Sequence, residues 1–227
     1  MSMTISIIIP TLNEEAVLAA TLDRVRQPGI CEILVVDGGS TDSTSAVAAG
    51  YADRVLSAPR GRATQMNAGA VHAGGDILLF LHADTLVPDG FASAVITACS
   101  QAGVIGGRFD VELRPSTPLI RLTGALINQR SRLTRISTGD QAIFIRHAIF
   151  DRIGGYADIP LMEDIDLSRR MKRAGRIACL RQRVTTSARR WQKDGVVRTI
   201  LLMWSLRALY FVGVSPARLH RLYANTR

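Results

Sequence analysis

Ile5-Ser6-Ile7-Ile8-Ile9-Pro10-Thr11-Leu12-Asn13-Glu14 stands near the start of the chain, and Ile33-Leu34-Val35-Val36-Asp37-Gly38-Gly39-Ser40-Thr41-Asp42 follows it. Each is an apolar run that ends in a turn carrying carboxylates. Apolar runs of this length without sustained polar alternation read as strands buried on both faces. Pro10 is expected to stop the first strand. Thr11 to Glu14 matches a capping box and predicts a helix start. Leu18, Leu22 and Val25 then fall at i, i+4 and i+7, which marks an inner helix face, and Pro28-Gly29 ends it. Asp37 to Asp42 reads as a turn with several candidates for capping the next helix.

The same alternation continues outward. Val55-Leu56 is a short strand, Arg60-Gly61-Arg62 leads into a helix through Gln65 to Ala73, and Ile77 to Leu81 is a fourth strand with His82-Ala83-Asp84 at its end. Strands separated by helices predict an α/β domain with a mostly parallel sheet covered on both faces. Ligands of such sheets bind beyond the carboxyl ends of the strands. There stand Pro10, Thr11 and Glu14, then Asp37, Gly38 and Gly39, then His82 and Asp84. Taken singly, each is an ordinary turn or capping residue. At three strand ends of one sheet they predict a single site.

No G-x-G-x-x-G follows the first strand, and no phosphate-binding G-x-x-x-x-G-K-S/T occurs. A nucleoside is instead expected at Asp37, which can accept hydrogen bonds from a base. Arg62 would reach the phosphate or base of the same ligand, and Gly38 and Gly39 would permit close backbone approach.

Beyond Asp84 the pattern predicts a helix from Phe91 to Ala102, a strand from Gly106 to Val111 and a helix from Leu119 to Arg130. A strand entered through Thr138 to Ile145, a turn at Gly154-Gly155-Tyr156 and a helix from Glu163 to Ala174 follow. The last begins with acids, as the helix dipole favours, and Leu167 and Met171 mark its inner face. Val196 to Val214 is apolar and about long enough to span a bilayer. Arg198 and Arg207 within it make spanning costly. An amphipathic helix is expected, packed on the domain or a partner chain, or lying on an anionic membrane; self-association stays open.

Composition sets the wider frame. Of 227 residues, 47% are hydrophobic and 21% charged, which excludes a disordered chain. A net charge of +9 calls for anionic partners. Nucleic acid is disfavoured, because aromatics are only 5% and no zinc-finger, homeodomain or RRM signature appears. Cys31, Cys99 and Cys179 read as reduced, buried small residues. Met1-Ser2-Met3-Thr4 runs straight into the first strand without a signal-peptide pattern, so a cytoplasmic protein is expected, peripheral to the membrane if the last helix lies on lipid.

The motifs Ile7 to Glu14, Val35 to Asp42, Arg60-Gly61-Arg62 with Asn67-Ala68-Gly69, Gly139-Asp140-Gln141, Gly154-Gly155-Tyr156 and Met162-Glu163-Asp164 resemble, in order, those of family 2 glycosyltransferases with the GT-A fold. Arg60 to Asn67, Leu81 to Thr85 and Arg189-Arg190-Trp191 resemble a small bacterial subgroup associated with arsenosugar biosynthesis.

The resemblance runs over roughly residues 4–175, and a GT-A glycosyltransferase domain is expected over residues 1–190 with a C-terminal basic amphipathic helical extension over 191–227. The resemblance implies a nucleotide-sugar donor, and Asp37 at its base, usually uracil. Pro10, Thr11, Glu14, Gly38, Arg62 and Asn67 would line the nucleotide pocket. Asp84 would hold a divalent metal, Mn2+ or Mg2+, and Asp164 would be the base that deprotonates an unknown acceptor in an inverting transfer. His82 stands where the family has a first metal-binding acid. Imidazole suits Mn2+ better than Mg2+, and His82 is read as facing the nucleotide or the backbone. The helix dipole is expected to keep Asp164 ionised, with only one of Glu163 and Asp164 facing the sugar. Two other readings remain: a sugar nucleotidyltransferase, against which no G-x-G-x-R loop follows strand one, and a non-catalytic domain that binds anionic surfaces.

Overall fold

The computed structural model describes residues 3–189 and 195–225. The chain runs β1 (Ile5–Thr11), α1 (Glu15–Val25), β2 (Ile30–Asp37), α2 (Thr44–Tyr51), β3 (Arg54–Ser57), α3 (Arg62–Val71) and β4 (Ile77–Phe80). It continues through β5 (Thr85–Leu86), α4 (Phe91–Ser100), β6 (Val104–Arg114), α5 (Pro118–Thr134), a 3-10 turn at Gly139–Gln141, β7 (Ile143–Arg146) and α6 (His147–Arg152). Then come α7 (Glu163–Ala174), β8 (Arg176–Ser187), α8 (Val196–Phe211) and α9 (Pro216–Asn225). The expected boundary between residues 190 and 191, with Arg190 and Trp191 themselves, lies outside the described residues.

Among the described residues the strands form one sheet in the order β3-β2-β1-β4-β7-β6-β8-β5. Four of its seven strand pairings are parallel, so it is mostly parallel as expected, with antiparallel pairings around β7 and β5. The half read first, β3-β2-β1-β4, is parallel. β7 runs antiparallel to β4 and β6, β8 is parallel to β6, and β5 is antiparallel to β8. Unbroken apolar runs report burial on both faces and carry no direction. β8, the long strand beside β6, and the short helix α6 escaped the pattern. β8 is half-buried to exposed over most of its length and rich in arginine, so no apolar run announces it.

Alternate residues of β1 face opposite layers. Ile5, Ile7 and Ile9 pack with Leu18, Leu22 and Val25 of α1 and with Phe91 and Val95 of α4. Ile8 packs with Met66 of α3, Phe150 of α6, and Leu167 and Met171 of α7. Helices therefore cover both sides of the sheet, and the inner faces expected for α1 and α7 are the buried ones. β1 runs through Pro10 to Thr11, which pairs with Asp37. Pro10 is tolerated because β4 has already ended at Phe80, so no neighbour on that side needs its missing N–H. The expected capping box is absent. Thr11 belongs to the strand, and Glu14, the residue preceding α1, makes no capping side-chain bond.

The basic half is partly internal. Arg108 is fully buried and paired with Asp110, whose other oxygen accepts from Arg132 Nη2 at 2.6 Å. Cys31 is exposed, contrary to expectation, while Cys99 is buried. In a third apolar cluster, Leu206 of α8 and Leu219 of α9 pack on Met162 and Ile165 at the start of α7. On the other side of α8, Val197, Leu201, Trp204 and Phe211 stand exposed. No described helix is long and apolar enough to cross a membrane.

Candidate active site

The parallel strands deliver their ends to one edge. Thr11 Oγ1, closing β1, donates to Asp37 Oδ1 at 3.3 Å, closing β2. Asp37 also accepts from Gly39 N at 3.1 Å, Ser40 N at 2.9 Å and Ser40 Oγ. Burial alone would raise this carboxyl. The bonds from Ser40, Gly39 and Thr11 outweigh that and hold it below its ordinary value. Asp37 is thus ionised and shapes its own turn. The two strand-end loops are stitched together: Asn13 N donates to Ser40 Oγ at 2.9 Å, and Thr41 N donates to Asn13 Oδ1 at 2.8 Å.

Gln65 of α3 locks the same edge, donating from Nε2 to Thr11 O and Val36 O at 2.8 Å each. A Cβ on Gly38 would lie 3.0 Å from that amide. The space at Gly38 therefore serves Gln65, and the open approach belongs to Gly39, which is exposed with φ +90° and has nothing near its missing Cβ. Arg62 begins α3 and is exposed, and its charge acts on His82, Glu14 and Asp140. Asn67 lies deeper. Its Nδ2 donates to Tyr156 O and its Oδ1 accepts from Tyr156 N, both at 2.9 Å. That clamp ties α3 to the Gly154-Gly155-Tyr156 turn and occupies the amide expected in the nucleotide pocket.

Asp84 follows β4. Its Oδ1 accepts from Thr186 Oγ1 of β8 at 3.4 Å, and its Oδ2 lies 3.8 Å from Arg189 Nη2. The same Nη2 is 3.9 Å from Glu14 Oε2. Burial raises the Glu14 carboxyl, and Asp84 raises it further against the opposing pull of Arg189 and Arg62. Arg189 and Thr186 thus join the edge, a role the sequence pattern did not assign. Among the described residues no three His, Cys, Asp or Glu side chains gather as a metal cage. Glu14 and Asp84 both approach the same Arg189 nitrogen, and carboxylate oxygens are the kind of ligand that a hard divalent ion takes together with phosphates.

Asp164 stands in the first turn of α7. Gly139 N donates to its Oδ2 at 2.9 Å, and Ile165 N to its Oδ1 at 2.7 Å. Burial and the charge of Glu163 nonetheless push its pKa up to about 7. The dipole does not prevail, because desolvation of a carboxylate outweighs the partial charge of a helix end. Both acids line one small cavity with Met66, Phe80, His82, Gly139, Ile143 and Tyr156, although only one was expected to face it. Burial, then Arg62, lowers His82 to about 3, so its ring is neutral. A Cβ on Gly139 would lie 2.6 Å from His82 Nε2. Glycine there lets one loop both touch His82 and hold Asp164. Behind Asp164, Asp140 is raised by burial and Arg130 lowered by it. Arg130 Nε and Nη2 and Asp140 Oδ1 have no hydrogen-bond partner among the described residues.

Residues 6–157, more than half of the chain, match Glycosyl transferase family 2. The chain belongs to this family. Relatives include PGL/p-HBAD biosynthesis glycosyltransferases of Mycobacterium bovis and Mycobacterium tuberculosis, 35% identical over 164 residues, covering 66% of this chain and 62% of the relative. A probable glycosyltransferase of Bacillus subtilis is 26% identical over 198 residues, covering 75% of this chain and 47% of that protein. The chain therefore spans less than two thirds of the length of these relatives.

Among solved structures, a mannosyltransferase of Pyrobaculum calidifontis in complex with GDP-Man and Mn2+ superposes with TM-score 0.68 at 20% identity, covering 100% of this chain and 70% of that one. Glucosyl-3-phosphoglycerate synthase of Mycobacterium tuberculosis, in complex with Mn2+, UDP and glucosyl-3-phosphoglycerate, gives 0.59 at 20% identity, covering 80% and 70%. This family 2 chain thus has the GT-A fold. The family rests on the match, and the arsenosugar subgroup finds no counterpart among these relatives.

Proposed function

We propose that this glycosyltransferase moves a sugar from a nucleoside diphosphate donor, uridine-linked, to an acceptor hydroxyl with inversion at the anomeric carbon. The observation that carries this reading is Asp164: a carboxyl pushed up to about 7, held by two backbone N–H groups and opening on a cavity. A base with a pKa near the working pH is suited to removing a hydroxyl proton in the transition state. Asp164 takes the acceptor proton, the acceptor oxygen bonds to the anomeric carbon, and the bond to the diphosphate breaks on the opposite face.

Asp37 and Thr11 receive the base, Glu14 and Arg62 flank the ribose and phosphates, and Asp84 faces the diphosphate. When bound, a divalent ion, Mn2+ or Mg2+, supplies positive charge to the departing oxygens. Asp84 and Glu14 are the residues that would hold it. Neutral His82 is a hydrogen-bonding neighbour of the donor. The 62% coverage of the mycobacterial relatives makes donor and acceptor proposals of this chain alone.

The test is a thermal-shift panel of UDP-, GDP-, dTDP- and CMP-linked ligands with and without Mn2+. A ligand that binds only the native state raises the melting temperature by mass action. A shift confined to uridine ligands supports the donor assignment, and a shift with guanosine ligands alone overturns it. Product configuration by NMR decides inversion.

A further inference from the structure

α8 carries two apolar faces. One packs into the cluster of Leu206, Leu219, Met162 and Ile165. The other is a stripe of Val197, Leu201, Trp204, Ala208 and Phe211, spaced four, three, four and three residues apart, so all fall on one side of the helix. Val197, Leu201, Trp204 and Phe211 keep 58–61% of their surface exposed. A row of large side chains this exposed on a soluble surface marks an interaction site.

Charge selects the occupant. From Gly195 to Arg227 the chain has no Asp or Glu, while Arg198 and Arg207 lie on α8 and Arg218 and Arg221 on α9. A second copy would bring like charge against like charge from two helices that carry arginine and no carboxylate of their own, whereas an anionic lipid surface offers opposite charge beside an apolar phase. At 16 residues α8 is about 24 Å long, shorter than the hydrocarbon core. A helix of this length would lie along such a surface rather than cross it.

The position of α8 links this surface to the chemistry. Met162 and Ile165, which pack on the hairpin, flank Glu163 and Asp164 in sequence. The Arg169 guanidinium of α7 stands 5.8 Å from the centre of the Phe211 ring. Packed helices lie about 8–10 Å apart, so the hairpin sets the Asp164 end of α7 roughly one helix diameter from whatever covers the stripe.

We propose that the α8–α9 hairpin docks the enzyme on an anionic bilayer surface, and that the acceptor is a hydroxyl carried by a lipid in that surface. The second clause rests on Asp164 being the base, and the first stands without it.

The full chain is mixed with phosphatidylcholine vesicles with and without phosphatidylglycerol. Co-sedimentation and tryptophan emission are read in a Trp191→Phe background, which leaves Trp204 as the reporter. Binding to the anionic vesicles with a blue shift is expected, weakened about tenfold or more by Leu201→Ser with Trp204→Ser, read by sedimentation. Both side chains are exposed, so donor binding by calorimetry should be unchanged in this variant. That second measurement separates failure of docking from failure of the transferase reading. Equal retention on neutral vesicles, no retention by protein that still binds donor, or a dimer abolished by the same double substitution overturns docking. Transfer to soluble and vesicle-borne hydroxyls at the same rate overturns the lipid acceptor.

Discussion

Replacing Asp164 with Asn separates the cost of this carboxyl from its use. The folded-state pKa is raised from 3.8 to about 7. A carboxyl raised on folding contributes stability that is full below the unfolded value and is lost as pH rises through the folded one. Across the window from about 4 to 7 the native protein holds a proton that the unfolded chain releases, and above it Asp164 is a buried charge beside Glu163. Asn carries no such charge, and its carbonyl can still accept from Gly139 N or Ile165 N.

The loss of the other bond is common to all pH values, so the pH dependence of the difference isolates the charge. Between pH 5 and pH 8 the variant should gain about 2.7 kcal/mol relative to the parent, from the roughly two pH units between 5 and the folded pKa at about 1.4 kcal/mol each. Urea unfolding at the two pH values measures it. In the same protein, transfer to a hydroxyl acceptor should fall about 10²–10⁴-fold with donor affinity retained, and the parent's rate should rise with pH through about 7. Parallel stability of the two proteins at both pH values refutes the raised carboxyl. Wild-type transfer by the variant removes Asp164 from the chemistry.

Asp37→Ala should weaken uridine diphosphate binding by about 1–3 kcal/mol, read by calorimetry, and should also lower the melting temperature, because four donors of the loop lose their acceptor. Gly139→Ala should displace His82 or the loop and release the N–H that holds Asp164. Its signature is lost transfer with donor binding kept, and unchanged turnover would contradict the close approach. Asn67→Ala should cost about 1–3 kcal/mol of stability by breaking the clamp on Tyr156. Donor affinity in that variant is the check, since a large loss would return Asn67 to the nucleotide pocket.

Much of this protein is legible in its sequence because the signals are local. Apolar runs at β1, β2 and β4 and the inner faces of α1 and α7 follow from side-chain periodicity. Carboxylates after apolar runs at Asp37 and Asp84 fall on one edge once those strands lie parallel. What tertiary structure alone decided is non-local. β7 reverses direction between β4 and β6, and β8 arrives beside β6 although its own residues are mostly polar. That arrival brings Thr186 and Arg189 to Asp84 across about a hundred residues of chain.

Glu14, legible as a capping residue, becomes a carboxylate facing Arg189, and Asn67 becomes a clamp because the Tyr156 turn meets α3. The ionisation of Asp164 is the clearest case. Its place at the head of a helix predicts a stabilised negative charge. Its pKa instead follows from burial and from Glu163 beside it, because the cost of desolvating a charge depends on everything packed around it and not on the element that carries it.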